Sequence, residues 1–449
     1  MKLVYNVQDK PRFGQTLVFA LQQLLAILAA TIAVPTIIGN GMSQSAALFG
    51  AGAGTLVYLL FTKFRSPVFL GSSFAFLGSM AAAFAGALTT ADKNKGFAGL
   101  IIGAAMAGLV YVVIALVVKF AGVKWISKLM PPVVIGPTVA IIGLSLAGNA
   151  IGDLTKGSVL DAAQNPVANP YLALICGLVT LFVVIICSVF GKKMAKLIPF
   201  IIGIVAGYAV AAIFTVIGIA TNNPALQIIN FAAFQNMQWI PDFTFLKAID
   251  GFKYVDAPYI ASLAVAYIPV AFVVFAEHIA DHKNLSSIIE KNLLEDPGLH
   301  RTLLGDGVGS ITGAIFGGCP NTTYGESVGC VAITGNASVV TILATAILAM
   351  VASFFAPFVT FLSTIPSCVM GGVCMTLYGF IAVSGLKMIQ DVDFGQNKNL
   401  FVVAVILIAG VGGLQLTFGG ITITSIACSL ILGILVNAVL SLKKDKTNC

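Results

Sequence analysis

The amino-acid sequence predicts an all-α polytopic membrane protein with fourteen transmembrane segments in two inverted repeats of seven. Three observations predict this class. Apolar side chains make up 58% of the 449 residues and charged ones only 9%, the mean hydropathy is +1.01, and short motifs recur in the same order in both halves. A water-facing surface needs about 25% charged residues, so soluble enzymes and nucleic-acid-binding proteins are disfavoured.

Apolar runs of sufficient length define the individual segments. A spanning helix needs about 20 apolar residues, and windows of this kind begin near Gln15, Ser45, Val68, Phe97, Pro132, Tyr171, Leu197, Pro258, Thr302, Thr323, Ala337, Pro366, Leu400 and Gly420. The third and tenth windows are interrupted, by Gly71-Ser72-Ser73 and by Pro320 to Thr323, and a regular helix in lipid is costly there. We expect both to be broken or half-length elements.

The sequence indicates no cofactor and no metal. Its eight cysteines contain no C-x-x-C pair and mostly lie in apolar runs, so neither a zinc site nor a disulfide framework is indicated. We find no nucleophile and base pair or phosphate-binding loop, which disfavours an enzyme. The first apolar stretch, about Gln15 to Val34, is too long for a signal-peptide core and is interpreted as a retained span.

Basic residues are distributed unevenly between the two sides of the predicted topology. With a cytoplasmic N-terminus, 19 of the 24 Lys and Arg residues fall on the cytoplasmic side, and this asymmetry orients membrane proteins during insertion. The five exceptions are Lys93, Lys95, Lys156, Lys247 and Lys253. The distribution predicts a multi-pass protein with an even number of spans and both termini in the cytoplasm.

Three longer polar connections separate the predicted spans. They run approximately from Gly148 to Asn169, from Thr221 to Asp256 and from Asp281 to Arg301. The first two are predicted to be external and the third cytoplasmic, and none is large enough for an independent soluble domain.

Two motifs recur at an offset of seven spans. The run Gly50 to Thr55, with glycine at every second position, is echoed by Gly305 to Ser310, and Pro131 to Gly136 by Pro366 to Gly371. An odd offset makes equivalent helices run in opposite directions, which is the inverted-repeat design of transporters. We attribute the glycines to close helix packing. In such proteins paired interrupted segments mark a mid-membrane site where helix N-termini bind polar ligand atoms.

Carboxyl groups lie where lipid disfavours them. Glu277 follows the apolar run Ala266 to Ala276, and Glu326 lies in the interrupted tenth segment. A carboxylate at this depth costs about 2.5 to 3.5 kcal/mol on insertion scales and indicates a functional site, the alternative being a structural carboxylate paired with a neighbouring donor. Asp281 is one turn beyond Glu277 on the same helical face. The two can form a proton relay, or Asp281 can be a helix-end residue that contacts the cytoplasmic loop.

Two tyrosines and two histidines lie near these acids. Tyr324 and Tyr378 are flanked by glycine and apolar residues, so each can stack on a planar ligand or simply pack in the interior. His278 and His282 point away from the face that carries Glu277 and Asp281. We expect both histidines to be packed or interfacial.

Several ordered motifs resemble the nucleobase–ascorbate transporter family of nucleobase:cation symporters. They are Phe69 to Phe76, Ala276 to Ile279, Asp296 to Arg301, Pro320 to Glu326 and Val369 to Gly372, and they extend over nearly the whole chain. The run Asn321 to Glu326 is most similar to the bacterial uracil permease branch.

The resemblance implies a division into two domains. The core domain would comprise residues 1–129 (spans one to four) and 258–364 (spans eight to eleven), and the gate domain residues 130–257 (spans five to seven) and 365–449 (spans twelve to fourteen). It also implies secondary active import of uracil or a related nucleobase by proton symport with alternating access, in the bacterial inner membrane. Sodium is the alternative cation, and homodimers through the gate domain are frequent in the family.

The resemblance also assigns roles within the site. The substrate would lie between short strands in spans three and ten. Glu277 would bond the pyrimidine ring, Glu326 would bond the ligand or hold the site together, and backbone groups of Phe74 and Gly325 would meet the carbonyl and N–H edges. Tyr324 would line the pocket, with Tyr378 as a further candidate. Proton coupling would use Glu277, Asp281 and Glu326.

Two departures from the family pattern bear on coupling and on base preference. Asp281 stands where some uracil permeases have a histidine implicated in proton coupling, and Ser327 replaces the asparagine of a family signature. Two alternatives remain for the function: a purine or xanthine-type permease, and an anion exchanger or channel on the same inverted-repeat fold. The second should place basic residues, not acids, at the broken segments.

Overall fold

The structure is a computed structural model that describes residues 3–88, 93–122, 131–161, 165–192, 194–235, 237–418 and 421–442. Its helices are α1 (Phe13–Ile38), α2 (Gln44–Phe61), α3 (Leu77–Leu88), α4 (Asn94–Ala121), α5 (Pro132–Ser145), α6 (Ala147–Asp153), α7 (Pro170–Phe190), α8 (Met194–Leu197), α9 (Pro199–Ala220), α10 (Thr244–Gly251), α11 (Ala257–Ile289), α12 (Leu299–Gly317), α13 (Gly325–Thr334), α14 (Val339–Ala352), α15 (Ala356–Ser363), α16 (Ser367–Met388), α17 (Asn397–Val411) and α18 (Ser425–Leu442). The strands are β1 (Leu70–Ser72), β2 (Asn321–Thr323), β3 (Leu416–Phe418) and β4 (Ile421–Ile423).

Long apolar helices dominate the part of the chain that the structure describes. Eight are long and apolar enough to cross a membrane, namely α1, α2, α4, α5 together with α6, α7, α9, α11 and α16; α14 and α15, bent by 83° at a short break, form a ninth. Exposed apolar side chains such as Phe182, Phe190 and Ile213 give α7 and α9 a surface suited to lipid. The predicted helical, multi-pass membrane class is confirmed.

The two interrupted segments are a strand followed by a helix, as predicted. β1 leads through a single 3-10 turn (Phe74–Phe76) into α3, and β2 leads through Tyr324 into α13. The two strands pair antiparallel, with Leu70 opposite Thr323 and Ser72 opposite Asn321. Distant parts of the chain therefore meet at the two helix starts.

Glycine at Gly71 allows the first broken segment to approach the second. A Cβ atom at Gly71 would collide with the ring of Tyr324, whose hydroxyl donates a 2.8 Å hydrogen bond to the carbonyl of Ser72. Any larger residue would push the Tyr324 ring off β1. The interruption in hydrophobicity at this point is therefore a packing requirement of the strand pair.

The glycine runs of α2 and α12 pack against each other. Their spacing predicted close helix packing but not which helix each run contacts. A Cβ at Gly54 would lie 2.7 Å from the carbonyl oxygen of Gly309, and a Cβ at Gly309 would lie 2.8 Å from the carbonyl oxygen of Gly54. The contact is thus reciprocal. It places the two backbones closer than any side chain permits.

Two predicted boundaries are wrong. α11 continues to Ile289, so the polar connection predicted from Asp281 begins nine residues later, at Glu290, and Asp281 lies inside the helix rather than at its end. The window that begins near Gly420 is helical only from Ser425, because β3 and β4 pair as a short antiparallel ladder before it. Polar residues at the end of α11 lower its hydropathy without breaking the helix. The hydropathy window therefore placed the end of the helix too early.

The N-terminal segment before α1 is anchored to the turn between α13 and α14. Tyr5 forms a parallel bridge with Asn336, and the N–H of Val339 donates to the carbonyl of Val7 at 3.0 Å. The Ser338 hydroxyl donates to the carbonyl of Asp9 at 2.6 Å. The segment therefore fastens the turn between α13 and α14.

Seven of the basic residues assigned to the cytoplasmic side lie outside the described residues. They are Lys2, Lys124, Lys128, Lys193, Lys443, Lys444 and Lys446.

Candidate functional site

A cavity of about 450 Å³ lies where the two broken segments meet α11. We call it the central cavity. It is lined by six of the seven residues that the sequence analysis assigned to the site: Phe74, Glu277, Asp281, Tyr324, Gly325 and Glu326. Residues from three separate stretches of sequence thus converge on one space, whose volume is within the usual range for small-molecule sites.

Two helix starts open toward this cavity. Ser73 and Tyr324 occupy the cap positions before the 3-10 turn and before α13, and neither side chain caps its helix. The first backbone N–H groups of a helix have no partner within it. They also concentrate the positive end of the helix dipole, so they can donate to carbonyl oxygens or anions. Gly325, the first residue of α13, is exposed to the cavity and leaves its backbone accessible.

Three carboxyl groups line the same cavity and are partly exposed to it. Glu277 and Asp281 lie one turn apart on α11, as predicted, and Glu326 lies in the first turn of α13. Within the described residues, the carboxyl groups of Glu277 and Glu326 make no hydrogen bond to another residue. Both are therefore available to a ligand or a proton.

Asp281 differs from the other two acids because it has a fixed partner. The Thr323 hydroxyl on β2 donates to Asp281 Oδ2 at 2.8 Å. The bond ties α11 to the strand that precedes α13. The other carboxyl oxygen of Asp281, Oδ1, lies near Gly325, since a Cβ atom added at Gly325 would be 3.8 Å from it. A change at Asp281 can therefore be transmitted to the helix start that carries Glu326.

The aromatic candidates occupy different positions. Phe74 and Tyr324 both line the cavity, and Tyr324 is held by its bond to the Ser72 carbonyl. Tyr378 is buried behind Phe74, with the two ring centroids 5.9 Å apart in an edge-to-face contact, and it is not among the residues that line the cavity. Tyr378 thus supports Phe74 from α16.

A second part of the cavity lining is mainly apolar, and the polar side chains of Ser188, Lys196 and Ser384 also line the cavity. The apolar part is formed by side chains of α5, α9 and α16, including Val139, Ile142, Phe200, Leu377 and Phe380. One wall therefore offers hydrogen-bonding groups and the other offers apolar surface. This suits a flat ligand with polar edges and apolar faces.

Sequence reasoning missed a buried polar network on the other face of α11. His278 Nδ1 lies 2.6 Å from Asp306 Oδ2, and the His278 and His282 rings stack with centroids 4.0 Å apart. His282 Nε2 is 2.7 Å from the Tyr58 hydroxyl, which is 2.7 Å from Ser66 Oγ. The histidines are packed, as expected, but they also bond α11 to α2 and α12. Asp306 is flanked by glycines, and the sequence analysis interpreted it only as part of a helix-packing motif.

Ser327, one of the departures from the family pattern, has a clear structural role. Its fully buried hydroxyl lies 2.6 Å from Gln23 Nε2 on α1 and 3.1 Å from the backbone N–H of Phe69, and both groups donate to it. The residue next to Glu326 is thus fastened to α1 and to the chain just before β1. Glu326 is positioned by this contact.

The bundle of apolar helices, with a polar cavity between two broken segments, defines a membrane transport protein of the permease class. A family model described as "Permease family" matches residues 14–418. The chain belongs to this family, and the resemblance to nucleobase–ascorbate transporters inferred from the motifs is confirmed.

Three relatives are similar over nearly their whole length. The uracil permease of Bacillus caldolyticus is 40% identical, over 98% of this chain and 95% of the relative. The uracil permease of Bacillus subtilis (strain 168) is 37% identical over 99% and 97%, and that of Escherichia coli (strain K12) is 33% identical over 96% and 92%. These relatives are named as transporters, so the chain is classed with permeases and not with enzymes.

Two solved structures share the fold at low sequence identity. The transmembrane domain of the cyanobacterium bicarbonate transporter BicA superimposes with a TM-score of 0.59 at 17% identity, over 97% of this chain and all of that domain. The murine anion transporter Slc26a9 gives a TM-score of 0.62 at 12% identity, over 97% of this chain and 69% of that protein. At these identities the likeness concerns the fold alone.

Proposed function

We propose that this protein is a uracil permease that couples import of the base to protons across the bacterial inner membrane. The observation that carries the proposal is the convergence of two uncapped helix starts and three carboxyl groups on one cavity. The names of the three relatives support the choice of base.

The site offers partners for each polar edge of uracil. The base has two N–H donors and two carbonyl acceptors on a flat ring, and burying them unpaired is costly. Glu277 and Glu326 can accept hydrogen bonds from the N–H groups, and the backbone N–H groups at Phe74 and Gly325 can donate to the carbonyls. The apolar side chains of α5, α9 and α16 would cover one ring face.

Proton coupling in this proposal uses the three carboxyl groups. A proton taken up by Glu277, Asp281 or Glu326 changes which of them can accept from the base, and this links proton and base binding. Asp281 takes the place of the histidine in related permeases. Its bond to Thr323 supports a role in transmitting protonation to β2 and α13.

The proposed transport cycle is alternating access between two domains. Residues 1–129 and 258–364 would form the core and residues 130–257 and 365–449 the gate, with fourteen spans in two inverted repeats. The reciprocal contact of Gly54 with Gly309 supports a twofold relation between the repeats, and the two walls of the cavity belong to different proposed domains. Rocking of the gate against the core would expose the base to each side in turn.

The orientation and assembly are part of the same proposal. The charge asymmetry supports cytoplasmic termini, and the resemblance implies a homodimer through the gate domain. Neither is needed for the binding chemistry.

Uptake of labelled uracil into proteoliposomes tests the proposal directly. An inward proton gradient should drive accumulation, a sodium gradient alone should not, and excess unlabelled uracil should compete better than xanthine. Accumulation of xanthine in preference to uracil would favour a purine-type permease. Ion currents or chloride exchange without uptake of any base would overturn the proposal.

A further inference from the structure

A second cavity, of about 690 Å³, lies between α3, α4 and α11 on one side and α5 and α18 on the other. We call it the Lys95 cavity. Phe74 lines both this cavity and the central one. On α11, Ser262 lines the Lys95 cavity and Glu277 the central cavity, and at 1.5 Å per residue these positions are about 22 Å apart along the helix. The two cavities therefore lie in series, with Phe74 between them.

Lys95 is the principal charged side chain of this second cavity. It was one of the five basic residues on the minority side of the predicted topology, yet it is only 5% exposed. Its Nζ lies 3.4 Å from Asp256 Oδ1 and 4.5 Å from the centroid of the Tyr259 ring, an arrangement that favours a cation. A buried ammonium that lines a cavity is costly unless it has partners.

Hydrogen bonds position the groups around Lys95, and the Asp256 side chain is 60% exposed. Asp256 caps α11, because its Oδ1 also accepts the backbone N–H of Tyr259 at 3.2 Å. The Tyr259 hydroxyl donates to the carbonyl of Ala83 on α3 at 2.8 Å. The ammonium and the carboxylate thus lie side by side at the start of α11.

A donor beside an acceptor matches one particular ligand edge. A lactam presents a carbonyl oxygen next to an N–H, so Lys95 can donate to the former while Asp256 accepts from the latter. Every lactam edge of a nucleobase has this pattern. Space for a flat ring is available, because a Cβ at Gly78 on α3 would meet nothing within 4 Å and the neighbouring lining residues Ala81 and Ala82 are small.

We propose that the Lys95 cavity is a second binding site for the transported base, an approach site that holds its lactam edge between Lys95 and Asp256 before it passes Phe74. The inference rests on the proposed function and deepens it. The base binds first to a charged pair at the start of α11 and then, after Phe74 and its supporting Tyr378 move, to the carboxyl groups of the central cavity.

Equilibrium binding and initial uptake of labelled uracil test the approach site in the full-length protein. Wild type should bind two molecules per chain, and Lys95→Met and Glu277→Gln should each bind one. Lys95→Met should raise the KM for uptake about tenfold, the effect of losing one charged hydrogen bond, and leave the maximum rate within about twofold. Lys253→Met is the matched control, because that lysine is exposed and pairs with Asp250 outside the cavity. It should behave as wild type.

The outcomes separate the two proposals. If Lys95→Met binds two molecules with an unchanged KM, or loses only maximum rate, the approach site is overturned while the proposed function stands. If wild type neither binds nor transports any base, the proposed function fails and the approach site fails with it. Asp256→Asn provides the same measurements if Lys95→Met does not fold.

Discussion

His278 Nδ1 lies 2.6 Å from Asp306 Oδ2, with both side chains buried. The other ring nitrogen, Nε2, is 3.0 Å from the Thr302 hydroxyl, which itself donates to the carbonyl of Leu299. Nε2 therefore bears a hydrogen and donates to Thr302. We infer that Asp306 Oδ2 carries a further proton and donates it to Nδ1, so that neither group is charged. An uncharged pair can link α11 to α12 without the cost of burying an ion.

Replacement of Asp306 tests this assignment. An asparagine fills the same volume and can donate from Nδ2 to the Nδ1 of His278, so Asp306→Asn should change the free energy of unfolding by less than about 1 kcal/mol. Asp306→Ala leaves the imidazole without its partner and should cost about 1 to 3 kcal/mol. Thermal unfolding of the purified variants in detergent measures both. Equal destabilisation by the two substitutions would contradict an uncharged pair.

Glu277→Gln should abolish accumulation of the base while the protein remains folded in the membrane. The amide keeps the size of the side chain but cannot take up a proton, and it is a weaker acceptor. A hydrogen bond to a charged group is worth about 1.5 to 3 kcal/mol, so affinity should fall about 10- to 100-fold. Glu295→Gln, in the exposed loop before α12, is the control. Normal pH-dependent uptake by Glu277→Gln would remove this residue from the site.

Asp281→Asn should alter the pH profile more than the affinity. The amide oxygen can still accept the Thr323 hydroxyl, so the geometry of α11 and β2 is retained, but the group no longer titrates. We expect uptake to depend less on pH and the Kd for uracil to stay within about threefold of wild type. Thr323→Val is the complementary variant, because it removes the bond and leaves the carboxyl group. An unchanged pH profile in Asp281→Asn would make Asp281 purely structural.

Gly54→Ala should destabilise the contact between α2 and α12. The new methyl group would lie 2.5 Å from Asn321 Nδ2 and 2.7 Å from the carbonyl oxygen of Gly309, and relief of the second contact requires movement of a backbone. Overpacking of this kind costs about 1 to 3 kcal/mol. Gly379→Ala on α16 is the control, since a Cβ there meets nothing within 4 Å. Equal melting temperatures for the two variants would show that α2 and α12 can move apart to accommodate the methyl group without loss of stability.

The ion pair of Asp256 with Lys95 should stabilise the protein at neutral pH and not in acid. Desolvation raises the pKa of the Asp256 carboxyl, but the Tyr259 N–H and the Lys95 ammonium outweigh it, and the pKa lies below its usual value. The stabilisation is therefore present above the pKa of the unfolded chain and is lost as the pH falls through the lower folded-state pKa. Asp256→Asn should lower the Tm at pH 7, and the gap to wild type should narrow toward about pH 3. A gap independent of pH would exclude the ion pair as its cause.

Hydropathy and motif spacing predicted the membrane class and the broken segments because both depend on local sequence. The position of Asp281 within α11 escaped the same method, since a helix that leaves lipid keeps its hydrogen bonds while its side chains become polar. β3 and β4 escaped it too, because a short strand pair adjoining an apolar helix has the same average hydropathy as the helix.

Pairings between distant residues could not be read from single stretches of sequence. Glu277 and Glu326 were predictable because each is an acid in apolar surroundings, and their shared cavity followed from the paired interruptions. The partner of His278 is Asp306, on another helix, and Lys95 was recognised only as one of five basic residues on the minority side. The partners of both residues are set by tertiary packing, and a local sequence pattern carries no information about it.

The anchored N-terminal segment has a consequence for biosynthesis. Its bond from Ser338 to Asp9 joins residues 329 positions apart, so during synthesis the segment before α1 cannot take up this position until residue 338 has been added. A bulky reporter fused ahead of Tyr5 would compete with that late docking. The turn after α13 would then lack its hydrogen bonds to the N-terminal segment, and α13, which carries Glu326, would be less firmly held.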